Sequence, residues 1–467
     1  MVKFWRSLSR YEKALLILFA LTIPFVHAQV SGDGVGYYAY ARSLLIDHNL
    51  QFAGDWHDPK NELLNVYLDG HIIPNPITKT GHLPNFWSVG PAMMWAPFLV
   101  AAHWAVLGLN RLGWHINADG YSWPYLVAMA SATILYGFAG LFLSYRLARI
   151  YVEERWAFLA TLGIWLGGSL PAYIYVLPAL SHAQSAFCSA LFFWYWLRTR
   201  NTRTYRQWIV LGLISGLMID VRFDSIVLLL APLLESLSAF AAAWRIRQTE
   251  PHSLRKLSFS NVLYALAVVV AFLPTLITRQ IIFGNPFRFG VYTSQSWNWT
   301  SPAFLRVLFS TSHGLLVFTP ILVLAIVGLF LLLQGGYPEA KTYLAVTLAF
   351  YCFISVCPWW HGTIGLGNRY FISLTPLFVV GLAVTFSRAV RIWGEARAAM
   401  WRLGTITALL VIWNLGLIYQ WSTMLLSTRN EVRWDEVVYN QFRVVPGQLL
   451  QDIGERFLPQ RNSNSGK

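Results

Sequence analysis

Apolar residues in this chain come in long unbroken runs, with polar residues confined to the gaps. Runs near 14–30, 89–109, 122–145, 157–176, 183–197, 207–221, 224–240, 258–281, 314–334, 342–358, 369–388 and 402–425 approach the length that crosses about 30 Å of hydrocarbon. Each predicts a helix, because a helix satisfies its backbone amides within the segment where no water can. The gaps are short except at 31–121 and 282–313. No fixed period and no inverted pair of broken helices recurs along the chain.

Basic residues assign the gaps to sides. If 89–109 crosses, the clusters Arg146/Arg149/Arg155, Arg198/Arg200/Arg203/Arg206, Arg245/Arg247/Arg255/Lys256 and Arg388/Arg391/Arg397/Arg402 all fall outside, against the positive-inside rule. If it lies at the outer interface, all are cytoplasmic. VGPAMMWAPFLVAAHW, with its prolines, tryptophans and histidine, suits an interfacial or re-entrant helix. The expected fold is therefore an all-α polytopic membrane protein with about 11 spans, N-terminus in and C-terminus out. Residues 1–425 form its transmembrane domain, with a large first outer loop at 31–121, a second at 282–313 and a short one at 359–368. Residues 426–467 form an outer tail with an amphipathic stretch and an end whose composition predicts disorder.

Composition agrees: 56% of the 467 residues are hydrophobic, 16% aromatic and 12% charged, and the mean hydropathy is +0.48. The net charge of +14 resides in the clusters between apolar runs, so it reads as a topology signal and not as a nucleic-acid face. Cys188, Cys352 and Cys357 lie in or beside apolar runs without metal-knuckle spacing. The first segment also fits a cleaved signal peptide, with Lys3, Arg6, Arg10 and Lys13 before Leu15–Phe25. Either way Asp33 ends up outside.

Ionisable residues at membrane depth are costly and mark function. Here they gather at outer ends of runs: Asp33, Arg222 and Asp224, Arg279, Arg369, and the histidines His182 and His313. Each has a simpler role open to it. Asp33 could cap the helix behind it, Arg222 and Asp224 could pair in a turn, Arg279 and Arg369 could reach toward headgroups, and the histidines could only pack. Their shared side is the stronger signal. A second knot, GDWHDPKNE with Asp55, His57 and Asp58, has too few anchors for a metal site and reads as a solvated loop.

The stretch SGDGVGYYAYARSLL, with Asp33, Tyr37, Arg42 and Leu44-Leu45, resembles the start of the first outer loop in GT-C membrane glycosyltransferases. The bacterial relatives of protein O-mannosyltransferases and of the aminoarabinose lipid A transferases are the most similar. FWSVGPAMMWAPF, FGNPF, SHGLLVFTP and PWWHGTIGLGNRYFISLTP follow in the same order, so the likeness covers about 30–390. Many relatives carry Asp-Glu at the first position, where Gly34 follows Asp33 here.

The resemblance implies transfer of a sugar from a polyprenyl-phosphate carrier to a lipid, glycan or protein acceptor at the outer face of the inner membrane. It implies Asp33 as the base that takes the acceptor proton, and Arg369, Arg222 and Arg279 as cations for the departing phosphate. Tyr37, Arg42, His182, Asp224, His313, Trp359, Trp360 and His361 would then touch substrate. No cofactor is required by the residues, no metal ligands are assigned, and a divalent cation stays open. The tryptophans Trp87, Trp95, Trp297 and Trp299 suit an interfacial belt. On the residues alone, a transporter or lipid flippase without covalent chemistry, or an O-antigen ligase or polymerase, also stays open.

Overall fold

The computed structural model describes residues 2–56, 67–68, 71–72, 77–246, 248, 251–289, 297–363, 365–394, 396–429 and 431–457. Of the GDWHDPKNE knot, His57 and Asp58 lie outside the described residues. Each apolar run holds a helix. In chain order the principal ones are α1 (Arg10–Thr22), α2 (Asp33–Arg42), α3 (Gly90–Arg111), α4 (Trp123–Ala148), α5 (Glu154–Gly167), α6 (His182–Thr199) and α7 (Tyr205–Val221). They continue as α8 (Leu230–Arg245), α9 (Pro251–Phe283), α10 (Ile321–Leu333), α11 (Ala340–Val356), α12 (Thr375–Trp393) and α13 (Ala396–Ser422). A two-residue antiparallel pair, Tyr67–Leu68 with His71–Ile72, is the strand content among the described residues.

Six described helical stretches are long and apolar enough to cross a membrane: α3, α4, Phe223–Arg245, His252–Phe283, Arg369–Trp393 and Arg397–Ser422. The chain is a polytopic membrane protein. α1 and α5 are shorter than their apolar runs, because each gives way to a 3₁₀ or π turn before the run ends. Arg369–Trp393 is the most enclosed of the six, buried through most of its length although apolar enough to face lipid.

One buried acid orients the bundle. Ser9 and Glu12 form a capping box that starts α1: the Ser9 hydroxyl accepts from the Glu12 amide at 3.2 Å and a Glu12 oxygen accepts from the Ser9 amide at 3.0 Å. The other carboxylate oxygen accepts from Arg146 at 3.0 Å and Arg149 at 3.2 Å. The start of α1 and the end of α4 therefore share one face.

The run read as interfacial or re-entrant forms α3, one continuous helix long and apolar enough to cross a membrane. It begins with Gly90 against the backbone of Asp220 and Val221 and runs antiparallel to the first half of α4. Trp95 donates to Thr133 at 2.9 Å near its base, and His103 bonds the Tyr125 hydroxyl at 2.7 Å higher up. The exposed rings of Trp104, Trp114 and Trp123 crowd the tip of this hairpin, as an interfacial belt requires. Trp95, by contrast, is fully buried, so it is not a belt residue.

Helix pairs without a hydrophobic driving force between them rely on close backbone approach. At the crossing of α10 and α12, a Cβ on Gly328 would overlap the Gly381 carbonyl, and one on Gly381 would overlap that of Ala325. The tail folds back on α13: Gln420 donates to Gln441 at 2.8 Å, Tyr419 to Asp452 at 2.7 Å, and Trp434 reaches the Thr311 carbonyl at 2.9 Å.

Gly328→Ala is expected to destabilise the protein by about 1–3 kcal/mol through overpacking. Gly404→Ala, on α13 with open space around it, should be neutral or stabilising by up to about 1 kcal/mol. Tm values of the two variants in one detergent check the contrast.

Candidate active site

Asp33 is the first residue of α2, and its carboxylate accepts a hydrogen bond from Arg369 at 2.6 Å. The simple capping role does not apply: the cap is Gly32, at φ +56°, and no side chain closes the helix start. Gly34 lets α2 sit flush on the segment before α6, since a Cβ there would come within 2.6 Å of the Ala179 methyl. Arg369 opens the 3₁₀ segment Arg369–Leu374 that leads into α12. The Asp33 side chain is 37% exposed and that of Arg369 12%, so the carboxylate faces open space while the guanidinium is enclosed.

A second pair lies beside it. Arg222, just past the end of α7, grips Asp224 with both edges of its fork, Nη2 to Oδ2 at 2.5 Å and Nε to Oδ1 at 3.3 Å. Its Nη1 lies 3.1 Å from Nδ1 of His182, the first residue of α6. A guanidinium only donates, so Nδ1 accepts and the proton of a neutral His182 ring sits on Nε2. The Arg222 guanidinium stacks 5.2 Å from the Tyr370 ring, and the Tyr173 ring lies 4.3 Å from that of His182. Tyr37 stands among Asp33, Arg222, Arg369 and Ser181; burial pushes its phenol up, the nearby Arg222 pulling the other way, so it is a neutral donor at pH 7.

A third group comes from the 357–368 loop. Trp359, Trp360 and His361 make ring contacts of 5.6–5.9 Å, and the His313 ring is 5.6 Å from His361. His313 Nε2 donates to the Thr363 carbonyl at 2.5 Å while His361 Nδ1 accepts from the Thr363 amide at 3.0 Å. Between them they hold Thr363 at φ +57°, a left-handed backbone that a β-branched residue rarely adopts. Burial pushes both imidazoles below their ordinary range, with the Arg369 charge adding to the effect.

Three expected members behave differently. Arg279 is fully buried, and its Nη groups donate to the Tyr40 hydroxyl at 3.1 Å, to the Asn85 carbonyl, and to the carbonyls of Phe86 at 2.8 Å and Trp87 at 2.7 Å. It pins the loop ahead of α3 and has no fork to offer a phosphate. Arg42 is tied to Asp47 at 2.5 Å, Asp55 at 3.5 Å and the Asp119 carbonyl at 3.1 Å, apart from the Asp33 group. Asp224, fully buried against Arg222, positions that guanidinium and is closed to substrate. A divalent cation finds no group of three acid, histidine or cysteine ligands among the described residues. Asp33 and Asp224 each face a guanidinium instead.

No family model matches this chain, and no curated protein matches its sequence. Among solved structures, ArnT from Cupriavidus metallidurans bound to undecaprenyl phosphate matches with a TM-score of 0.52 over 89% of this chain and 70% of its own, at 13% identity. The fold is of the GT-C type. The apo state of that ArnT matches 94% of this chain and 74% of its own length at a TM-score of 0.48 and 13% identity. An apo oligosaccharyltransferase from Archaeoglobus fulgidus matches at a TM-score of 0.48 and 13% identity over 99% of this chain. This chain spans 61% of the length of that second enzyme. At such identity the likeness is one of GT-C fold.

The sequence reading passed over Tyr173 and Tyr370. Tyr370 adjoins Arg369 and was within reach of a search for rings beside cations. Tyr173 sits in a π turn at Ala172–Val176 and accepts from the Leu366 amide at 3.2 Å, a contact no local pattern announces.

Arg279→Lys should cost about 2–4 kcal/mol of stability, because an ammonium cannot serve the same carbonyls; thermal unfolding checks it. Burial lifts the Asp55 carboxyl from 3.8 to about 6, against the Tyr121 hydroxyl and Arg42. A carboxyl raised on folding contributes its stability in full below its unfolded pKa and loses it as pH rises through the folded one. Between about pH 4 and 6 the protein should lose up to about 3 kcal/mol, and Asp55→Asn should flatten that limb in Tm-versus-pH measurements.

Proposed function

We propose that this chain is a membrane glycosyltransferase that moves a sugar from a polyprenyl-phosphate-linked donor to a hydroxyl of a lipid, glycan or protein acceptor at the outer face. The observation that carries this reading is the half-exposed Asp33 paired with the enclosed Arg369, backed by Arg222 and His182. The GT-C fold supports it.

Asp33, Asp224, Arg222 and Arg369 form two ion pairs whose formal charges cancel. A donor phosphate entering this site competes with Asp33 for Arg369, since both are anions seeking one guanidinium. Binding of donor thus frees the carboxylate as it occupies the cation, leaving Asp33 exposed and basic beside the anomeric carbon. The acceptor hydroxyl attacks that carbon as its bond to the phosphate oxygen breaks. The hydroxyl proton passes to Asp33 and the electron pair leaves with the polyprenyl phosphate. Arg369 and Arg222 take up the charge that develops on the phosphate, and His182 Nε2 and the Tyr37 hydroxyl supply neutral donors. Asp224 keeps the Arg222 fork aimed. Trp359 and Trp360 offer apolar faces of the kind on which sugars stack.

Asp33→Asn should lower turnover by a factor of about 100 to 10,000 while the protein still folds and binds donor. Unchanged turnover with a panel of polyprenyl-phosphate sugars would remove Asp33 as base. Arg369→Gln should weaken donor binding and lower turnover together, because it removes both the phosphate partner and the restraint on Asp33. The same panel assayed before and after chelation decides whether a divalent cation takes part.

A further inference from the structure

On the face opposite the Asp33 cluster, the turn between α4 and α5 and the last turns of α12 enclose a cavity of about 440 Å³. Arg149, Arg155 and Arg391 line it together with Ser387, and Glu153 is the one carboxylate in its wall. Arg149 is committed to Glu12 at 3.2 Å and Glu154 at 3.0 Å, and one Nη of Arg155 meets Glu153 at 2.8 Å. Arg155 also keeps a buried Nε without an acceptor among the described residues, a donor open to a ligand.

We propose that this cavity holds the phosphate of an anionic phospholipid headgroup from the leaflet on that face, expected to be the cytoplasmic one. Arg149 and Arg155 share Glu12, Glu153 and Glu154, Arg391 has no carboxylate partner among the described residues, and the start of α5 adds the positive end of a helix. The chemistry recognised is a phosphate. A lipid source is favoured over a soluble one by place: α4 and α12 belong to helical stretches long and apolar enough to cross a membrane, and the cavity lies at their ends, where headgroups are expected. Ile150, Val152 and Val390 also give the cavity an apolar wall beside its cations, as a glycerol and acyl stem would need. This site is separate from the proposed transfer chemistry.

The test uses the full chain in detergent, titrated with short-chain phosphatidylglycerol, phosphatidylcholine or inorganic phosphate, and read by Tm and by native mass spectrometry. Phosphatidylglycerol is expected to bind and raise Tm, with phosphatidylcholine and inorganic phosphate much weaker. The double change Arg155→Gln with Arg391→Gln should weaken phosphatidylglycerol binding about 10- to 30-fold. Removing two charges elsewhere on that face, by Arg255→Gln with Lys256→Gln, should leave it unchanged. Ser387→Phe fills the cavity while keeping every charge, and decides the matter if the double variant does not fold; it should abolish binding. Equal protection by inorganic phosphate, equal binding of phosphatidylcholine, equal loss in the Arg255/Lys256 variant, or unaltered binding in Ser387→Phe would each overturn the proposal.

Discussion

A guanidinium buried among membrane helices must meet a carboxylate or a full set of oxygen acceptors, because neither water nor lipid will satisfy it. Three arginines of this protein meet that condition in three ways. Both Nη groups of Arg279 are taken up by a hydroxyl and the carbonyls of residues 85–87. Arg222 is held by Asp224 and gives its remaining edge to His182. Arg369 alone is balanced by a carboxylate that stays half open. The first arrangement builds structure, the second positions a charge, and the third can exchange its partner.

That ordering explains how the helices and loops cooperate. Helix ends bring Asp33, His182, Arg222 and Arg369 together from four separate parts of the chain. The long loop between α1 and α4 is tied down on either side of this group, through Arg279 at its exit toward α3 and through Arg42, Asp55 and Tyr121. Rigid support of this kind lets the one exchangeable ion pair respond to a ligand without the fold responding too.

Glu12 plays the corresponding part on the opposite face. A single carboxylate caps α1 and receives Arg146 and Arg149, so the basic cluster that set the expected topology is also a physical contact. That contact ties the start of α1 to the end of α4. The likeness to ArnT in fold, at 13% identity, leaves the chemistry to be argued from these side chains, and the two ion pairs are where that argument rests.

Much of this was legible in the chain alone. Apolar runs marked the helices, since hydrocarbon forces every backbone amide into helical bonds, and arginine clusters marked the sides. Asp33, His182, Arg222 and Arg369 stood out because charge at membrane depth is expensive enough to need a purpose. What those charges do was decided only by tertiary structure. Arg279 and Arg222 look alike in sequence, each at the outer end of a run, and differ only in which groups lie within 3 Å or so of their forks. Whether a partner is a backbone carbonyl 192 or 193 residues away or a carboxylate two residues on depends on how helices pack. Helix packing follows shape and close approach at points such as Gly328 and Gly381, which no local pattern of polarity records.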